Sequence, residues 1–374
     1  MTALRLPGLV DVHVHTRDPG QTHKEDWSSA TAAALAGGFT TVLAMPNTDP
    51  AVTDRGTLET ALAAARTGAR CDWGQFVGAG ATNATTVAAL APRSAGLKMY
   101  LDQTFGDLRL SDLSAWWDHL EAWPHDRPLA VHAEQRTLGT LLFMAGVVGR
   151  SVHVCHVSRA DEIEMIHRAR DAGQAVTCEV APHHLVLDGQ TAVRLGSAAA
   201  VRPPLASEPD RTALWEHLEV IDCFATDHAP HTAAEKGGRT PPPGFPGLET
   251  ALPLLVEAVH DGRLTPEQLV ARLADNPRRI FGLPDQPDTG VEVEIDTPWE
   301  IRGPEMHSRA GWTPFEGLKV RGRVTRVVLR GEDAFRDGEV LAPPGSGRDV
   351  RESRELRERR GVRERRGVRE REDA

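Results

Sequence analysis

Residues 6–20 read LPGLVDVHVHTRDPG, an apolar run with two histidines at its end and an arginine just beyond, closed by Asp18, Pro19 and Gly20. On a regular β-strand, residues two apart share a face, so His13 and His15 are expected to project together while Val12 and Val14 face the other way. Two imidazoles on one strand end can grip a borderline divalent cation, zinc above all. An H-x-H pair standing alone is more often structural, so the reading depends on what the rest of the chain supplies.

Seven further runs have the same character: FTTVLAM, CDWGQFVGA, GLKMYL, PLAVHA, SVHVCHV, AVTCEVA and VIDCFATD. Stretches of helical period, such as DWSSATAAALAGG and RADEIEMIHRARDAG, lie between them. Eight strands alternating with helices predict an α/β fold, a (β/α)8 TIM barrel over residues 1–287, whose active site lies at the C-terminal ends of its strands. A Pro/Gly-rich loop, TPPPGFPGLET, and two helical segments ending near NPRRIFGL close it. Residues 288–347 contain VEVEI and LKVRGRVTRVVLRG, whose period-2 pattern predicts a small β-appendage that the first few residues can join. Over 348–374, RERRGV occurs twice in tandem with almost no apolar content, which predicts a disordered Arg/Glu-rich tail.

The 374 residues, 40% of them hydrophobic, can bury a large core. Cys71, Cys155, Cys178 and Cys223 form no C-x-x-C pair, which argues against a disulfide scaffold or a zinc finger and fits a reducing compartment. No apolar run approaches the roughly 18 residues of a membrane span, and the start MTALRLPGLV lacks a signal-peptide pattern. A cytoplasmic location without membrane contact is therefore expected. The net charge of −10 divides into +3 on the tail (11 Arg against 8 Asp plus Glu from Arg348) and −13 on the body, which makes nucleic acid a poor partner.

Other strand ends carry groups that suit a metal. His132 ends the fifth run, His156 falls near the end of the sixth and Asp227 ends the eighth. Singly, each reads more readily as a rim or core residue; together they recur where a barrel assembles its site. Lys98, inside the apolar GLKMYL, must find a partner or lose its charge, because burial disfavours an ammonium. A neutral amine can take up CO2 to become a carbamate, a carboxylate able to bridge two metal ions; the plainer alternative is a salt bridge to Glu179 or Asp227.

The motifs LPGLVDVHVHTRDPG, AMPNTDP, GLKMYL, VHAEQ, HVCHVSRA, CEVAPHH, CFATDHAPHT and PPPGFPGLET together resemble the dihydroorotase family of the amidohydrolase superfamily. The likeness runs from about residue 5 to about residue 350 and is closest to the dihydroorotase domain of the animal multifunctional pyrimidine-synthesis protein. It implies one zinc held by His13, His15, carboxylated Lys98 and Asp227, and a second by Lys98, His132 and His156. A third zinc would match His13, Cys155 and Glu179; Cys155 and His156 face opposite ways on a regular strand, so both can be ligands only if the chain bends there.

By the same resemblance Asp227 and Lys98 serve catalysis, with Asp227 moving the proton from attacking water to the departing amide nitrogen of dihydroorotate. The reverse reaction closes N-carbamoyl-L-aspartate with loss of water. Arg17, Asn47 and His231 would hold the substrate carboxylate, and Arg202, Pro243 and Gly244 would read the ring edge. DQTFGDLRL resembles the family's mobile loop, with Thr104 and Phe105 at its tip. The implied partners are this small-molecule substrate, a second copy of the chain in a homodimer, and carbamoyl-phosphate synthetase and aspartate transcarbamoylase domains of the same polypeptide or complex. The tail does not resemble the usual interdomain linker. Two other readings are a hydantoinase-, dihydropyrimidinase- or allantoinase-like hydrolase, whose substrates lack the ring carboxylate, and a catalytically silent scaffold. His183 and His184 read as structural, and most of His23, His119, His125, His153, His167, His217, His228, His260 and His307 are expected at the surface or rim.

Overall fold

The computed structural model describes residues 3–352. All eight runs are strands of a parallel barrel. They are β2 (Leu9–Val14), β3 (Phe39–Ala44), a third strand in two parts, β4 (Asp72–Gln75) and β5 (Val77–Gly78), then β6 (Leu97–Tyr100), β7 (Leu129–His132), β8 (Val152–Val154), β9 (Val176–Val180) and β10 (Cys223–Phe224). Each pairs in parallel with the next in sequence, β4 with β3 and β5 with β6. The barrel closes where His15 N–H donates to His228 O (2.8 Å), beside a parallel bridge from Val14 to His228. Leu9, Val10, Val12 and Val14 are all buried, as in a strand covered by helices outside and by the barrel core inside. Among the described residues, no helix is long and apolar enough to cross a membrane.

The helices begin where the sequence supplies caps. Asp26 and Asp54 accept the backbone N–H groups of Ser29 and Thr57, opening Trp27–Ala36 and Arg55–Gly68. The ends of β10 and β2 are fastened by Asp11, whose carboxylate accepts from His13 N–H (3.1 Å), Thr226 N–H (3.1 Å) and Thr226 Oγ1 (2.5 Å). Asp11→Ala would leave two buried N–H groups without acceptors and should cost about 2–4 kcal/mol. The check is the urea midpoint; an unchanged value would contradict the role.

The register of β2 against β3 shifts at two places, between Leu9 and Val10 and between Asp11 and Val14, and the second lies beside the site. Asp11 pairs with Val42 and Val14 with Ala44, so two residues, Val12 and His13, stand opposite Leu43 alone. This is the spacing of a β-bulge, which re-aims side chains beside active sites. Val12 consequently joins the apolar cluster of Leu43, Phe76 and Cys155, while Val14 packs in the outer one as expected.

Beyond the barrel, β1 (Ala3–Pro7) pairs antiparallel with β11 (Gly290–Glu294), followed across the sheet by Arg323–Leu329, Glu332–Arg336 and Glu339–Val340. The chain does not leave the fold at Arg348, where a tail was expected. Trp73 N–H donates to Arg348 O (2.9 Å) and Val350 N–H to Trp73 O (2.9 Å). The Arg351 guanidinium caps the carbonyls of Ser94 (3.1 Å), Ala95 (3.0 Å) and Phe281 (2.7 Å). Backbone pairing and capping of carbonyls need little apolar content, so composition alone missed them. The rest of the expected tail, 353–374, lies outside the described residues.

Candidate active site

The C-terminal ends of the strands converge on a pocket lined by His13, His15, Arg17, Asn47, Tyr100, Thr104, Phe105, His132, His156, Arg202, Asp227, Ala229, Pro243 and Gly244. Lys98, Cys155, Glu179 and His231 are not on this lining; they are buried behind it. Tyr100 and Ala229 were not anticipated.

His13 is the hub. Its Nδ1 meets Glu179 Oε1 and its Nε2 lies 3.3 Å from Asp227 Oδ1, while His15 Nε2 lies 3.1 Å from the same oxygen. The ligand atoms of His13, His15 and Asp227 stand within 4.8 Å of one another, and so do those of His13, Cys155 and Glu179. On the far side His132 Nδ1 is 3.0 Å from His156 Nε2. Ligands bound at the usual zinc distances stand roughly 3.3–3.8 Å apart, so these separations need only small rotations to close on an ion.

The backbone explains how Cys155 and His156 turn into one cluster. β8 stops at Val154, and His156 has φ 34°, the left-handed region. Arg17 (φ 59°) and Asp227 (φ 47°) leave their strands the same way. Cys155 Sγ thereby reaches Lys98 Nζ (2.7 Å). Among the described residues no carboxylate stands within ion-pair distance of Lys98, so the expected salt-bridge alternative is not formed.

Protonation favours metal ligation. Burial pushes His15 down to about 4 and holds His132 and His156 below the ordinary imidazole range, His156 further because His132 faces it. Neutral imidazoles are the ligating form. Burial alone would raise Asp227 and Glu179, but the adjoining histidines outweigh it and keep both below the usual carboxylate range. His156 Nδ1 is buried with no partner. The imidazoles of His15, His132 and His156 and the carboxylates of Asp227 and Glu179, gathered in a dry site, are a donor set that fits zinc.

The pocket wall above carries the Arg17 guanidinium, with Lys24 behind it ion-paired to Glu235 Oε1 (3.2 Å). Lys24, which sequence reasoning passed over, is buried, and its ammonium donates to His231 Nδ1 (3.2 Å). The His231 proton is thus on Nε2, which donates to Pro243 O (3.0 Å). Arg17 Nη2, 3.0 Å from that same Nε2, meets no acceptor there, and Arg17 Nη1 is buried without a partner among the described residues. A guanidinium with open donors on a pocket wall suits a carboxylate. Asn47 is already engaged: its Oδ1 meets His15 Nδ1 (2.7 Å) and its Nδ2 donates to Phe105 O (3.1 Å), so it orients a histidine and holds the loop tip. The Phe105 ring stands 5.0 Å from Arg17 and 4.5 Å from Lys24, over the pocket.

Three histidines expected near the surface are buried: His119, His153 and His228. His153 Nε2 meets Glu179 Oε2 (3.0 Å) and its Nδ1 meets Thr177 Oγ1 (2.8 Å), an arrangement that fixes Glu179. His228 Nε2 lies 3.4 Å from Glu25. Their partners lie far off in sequence, Thr177 and Glu179 on the neighbouring strand for His153, Glu25 for His228 and Gly80 O for His119, which spacing in sequence does not reveal. His183 and His184 are buried outside the pocket lining.

Residues 4–287 match the Amidohydrolase family. The chain is 54% identical over 349 residues to Multifunctional protein CAD of Squalus acanthias, a match covering 93% of this chain and 16% of that protein. It thus spans about a sixth of the length of that relative. It is 36% identical over 361 residues to the dihydroorotase of Pyrococcus abyssi, covering 93% of this chain and 87% of that one. Among solved structures, the inactive dihydroorotase-like domain of the Chaetomium thermophilum CAD-like multifunctional protein superposes with a TM-score of 0.81 at 29% identity, over 94% of this chain and 100% of that one. The chain therefore belongs to the amidohydrolase family and, within it, to the dihydroorotases, hydrolases that act on a cyclic amide.

Proposed function

We propose that this chain is a zinc-dependent dihydroorotase, interconverting N-carbamoyl-L-aspartate and (S)-dihydroorotate in pyrimidine biosynthesis. The observation that carries the reading is one pocket holding both a buried His/Asp ligand set and the open donors of Arg17. His13, His15, Asp227 and carboxylated Lys98 would hold one zinc, Lys98, His132 and His156 a second, and His13, Cys155 and Glu179 a third. Bound there, zinc supplies Lewis acidity at the amide carbonyl and lowers the pKa of water. Lys98 Nζ, once neutral, would add to CO2 and lose a proton, and the carbamate so formed would supply two ligand oxygens.

The chain's own groups do the rest. Asp227 takes a proton from the attacking water and returns it to the departing ring nitrogen. Arg17 fixes the substrate carboxylate, with Lys24 and His231 behind it. Arg202, Pro243 and Gly244 face the ring edge, and Thr104 and Phe105 close over the substrate to exclude water.

Arg17→Asn should cost the carboxylate contact about 2–4 kcal/mol, roughly 30- to 1,000-fold in kcat/KM for dihydroorotate. Dihydrouracil, a ring without the carboxylate, should show no such loss; an equal loss on both would favour the hydantoinase-type alternative.

Association with carbamoyl-phosphate synthetase and aspartate transcarbamoylase, and homodimer formation, belong to the same proposal. Its support is that the shark relative carries the matched region inside a much longer multifunctional protein. Catalytic silence is the second reading, favoured by the relative described as inactive. Zinc-loaded, folded protein assayed in both directions, with metal content measured alongside, separates the two; turnover of neither compound would overturn the dihydroorotase reading.

A further inference from the structure

We propose that Lys236 is a positioning residue that ties together the two chain segments framing the ring-facing side of the pocket. It ends the short helix Ala233–Lys236 and is 2% exposed. Its ammonium donates to three backbone carbonyls, Ala200 O (2.6 Å), Pro242 O (3.1 Å) and Gly244 O (3.1 Å). The rings of Phe245 and Trp312 flank it, each 5.3 Å from Nζ. Among the described residues no carboxylate pairs with it.

Three donors meeting three acceptors is the full capacity of an ammonium, and a compact point charge reaches them where a planar guanidinium would not. The acceptors come from separate stretches. Ala200 leads through Val201 into Arg202; Pro242 and Gly244 bracket Pro243. Arg202, Pro243 and Gly244 all line the pocket, whereas Lys236 does not. Gly244 N–H also donates to Ala200 O (3.0 Å), so the segments meet at one oxygen. Gly244 (φ 145°) is pressed against the adjoining His228–Ala229 segment: a Cβ there would fall 2.4 Å from Ala229 O. With its stem between two aromatic rings and its head saturated, Lys236 holds the two segments in one register, and the ring-edge contacts inherit it.

The role in substrate binding rests on the function proposed above, so the test has a readout that does not. Hydrogen–deuterium exchange over 197–204 and 240–247 should rise at least about tenfold in both segments together in Lys236→Met, with the barrel strands unchanged. In the same variant KM for dihydroorotate should rise about tenfold or more while kcat and zinc content stay within about threefold of wild type. Lys236→Gln, which keeps a donor, should fall between the two proteins. Unchanged exchange, exchange rising in one segment only, or an unchanged KM would overturn the proposal. So would failure of both variants to fold, because the cation would then be holding the whole chain. A wild type that turns over nothing yet shows coupled exchange would sink the dihydroorotase reading and leave the tie between segments standing.

Discussion

Lys98→Ala is expected to lower dihydroorotate turnover at least about a thousandfold and to strip zinc from the protein in the same preparation. The lysine is fully buried, and among the described residues its Nζ meets the Cys155 sulfur and the Tyr100 face and no carboxylate pairs with it. A cation left so is costly unless its chemistry changes, and the proposed carboxylation would change it, replacing the unpaired charge by an anion. Alanine removes that anion and leaves a space of its size. Acetate added to the variant should therefore restore part of both activity and metal content. Metal analysis paired with the assay decides the matter: full retention of both by Lys98→Ala would contradict the bridging role.

Asp227→Asn is expected to reduce kcat by about 10²- to 10⁴-fold, the range for removal of a positioned proton carrier. Asn keeps the shape and the tolerance for a left-handed backbone but cannot carry the proton. Burial works against ionisation of Asp227, and His13 and His15 more than offset it. The variant's two imidazole neighbours then face a neutral amide, so metal affinity should fall as well, which is why kcat must be read at saturating zinc. A kcat within tenfold of wild type under those conditions would remove Asp227 from the proton path.

The barrel was legible because parallel strands buried on both faces leave continuous β-branched runs, and each of the eight runs became a strand. That His13, His15, His132 and His156 meet in one pocket was legible because strand ends are where a barrel collects side chains. What sequence did not show were relations between strands. The extra residue on β2 is a matter of register against β3, so Val12 was placed on the wrong face. Lys24 and Lys236 look like surface lysines in a row of letters; their burial depends on acceptors brought from His231, Ala200 and Gly244. Asn47 was read toward substrate, yet its amide was already committed to His15 and Phe105.

His156 and Asp227 illustrate a double specification. In the proposed site each would present a ligand atom, and each has a positive φ, a backbone that Asn, Asp and His tolerate best after glycine. Chemistry and backbone therefore select from nearly the same short alphabet, and a valine or threonine at either position would fail before its side chain was ever tested. Drift at these two points is confined to a few letters, so a homologue that loses the metal while keeping the bend should be found carrying Asn or Gly there.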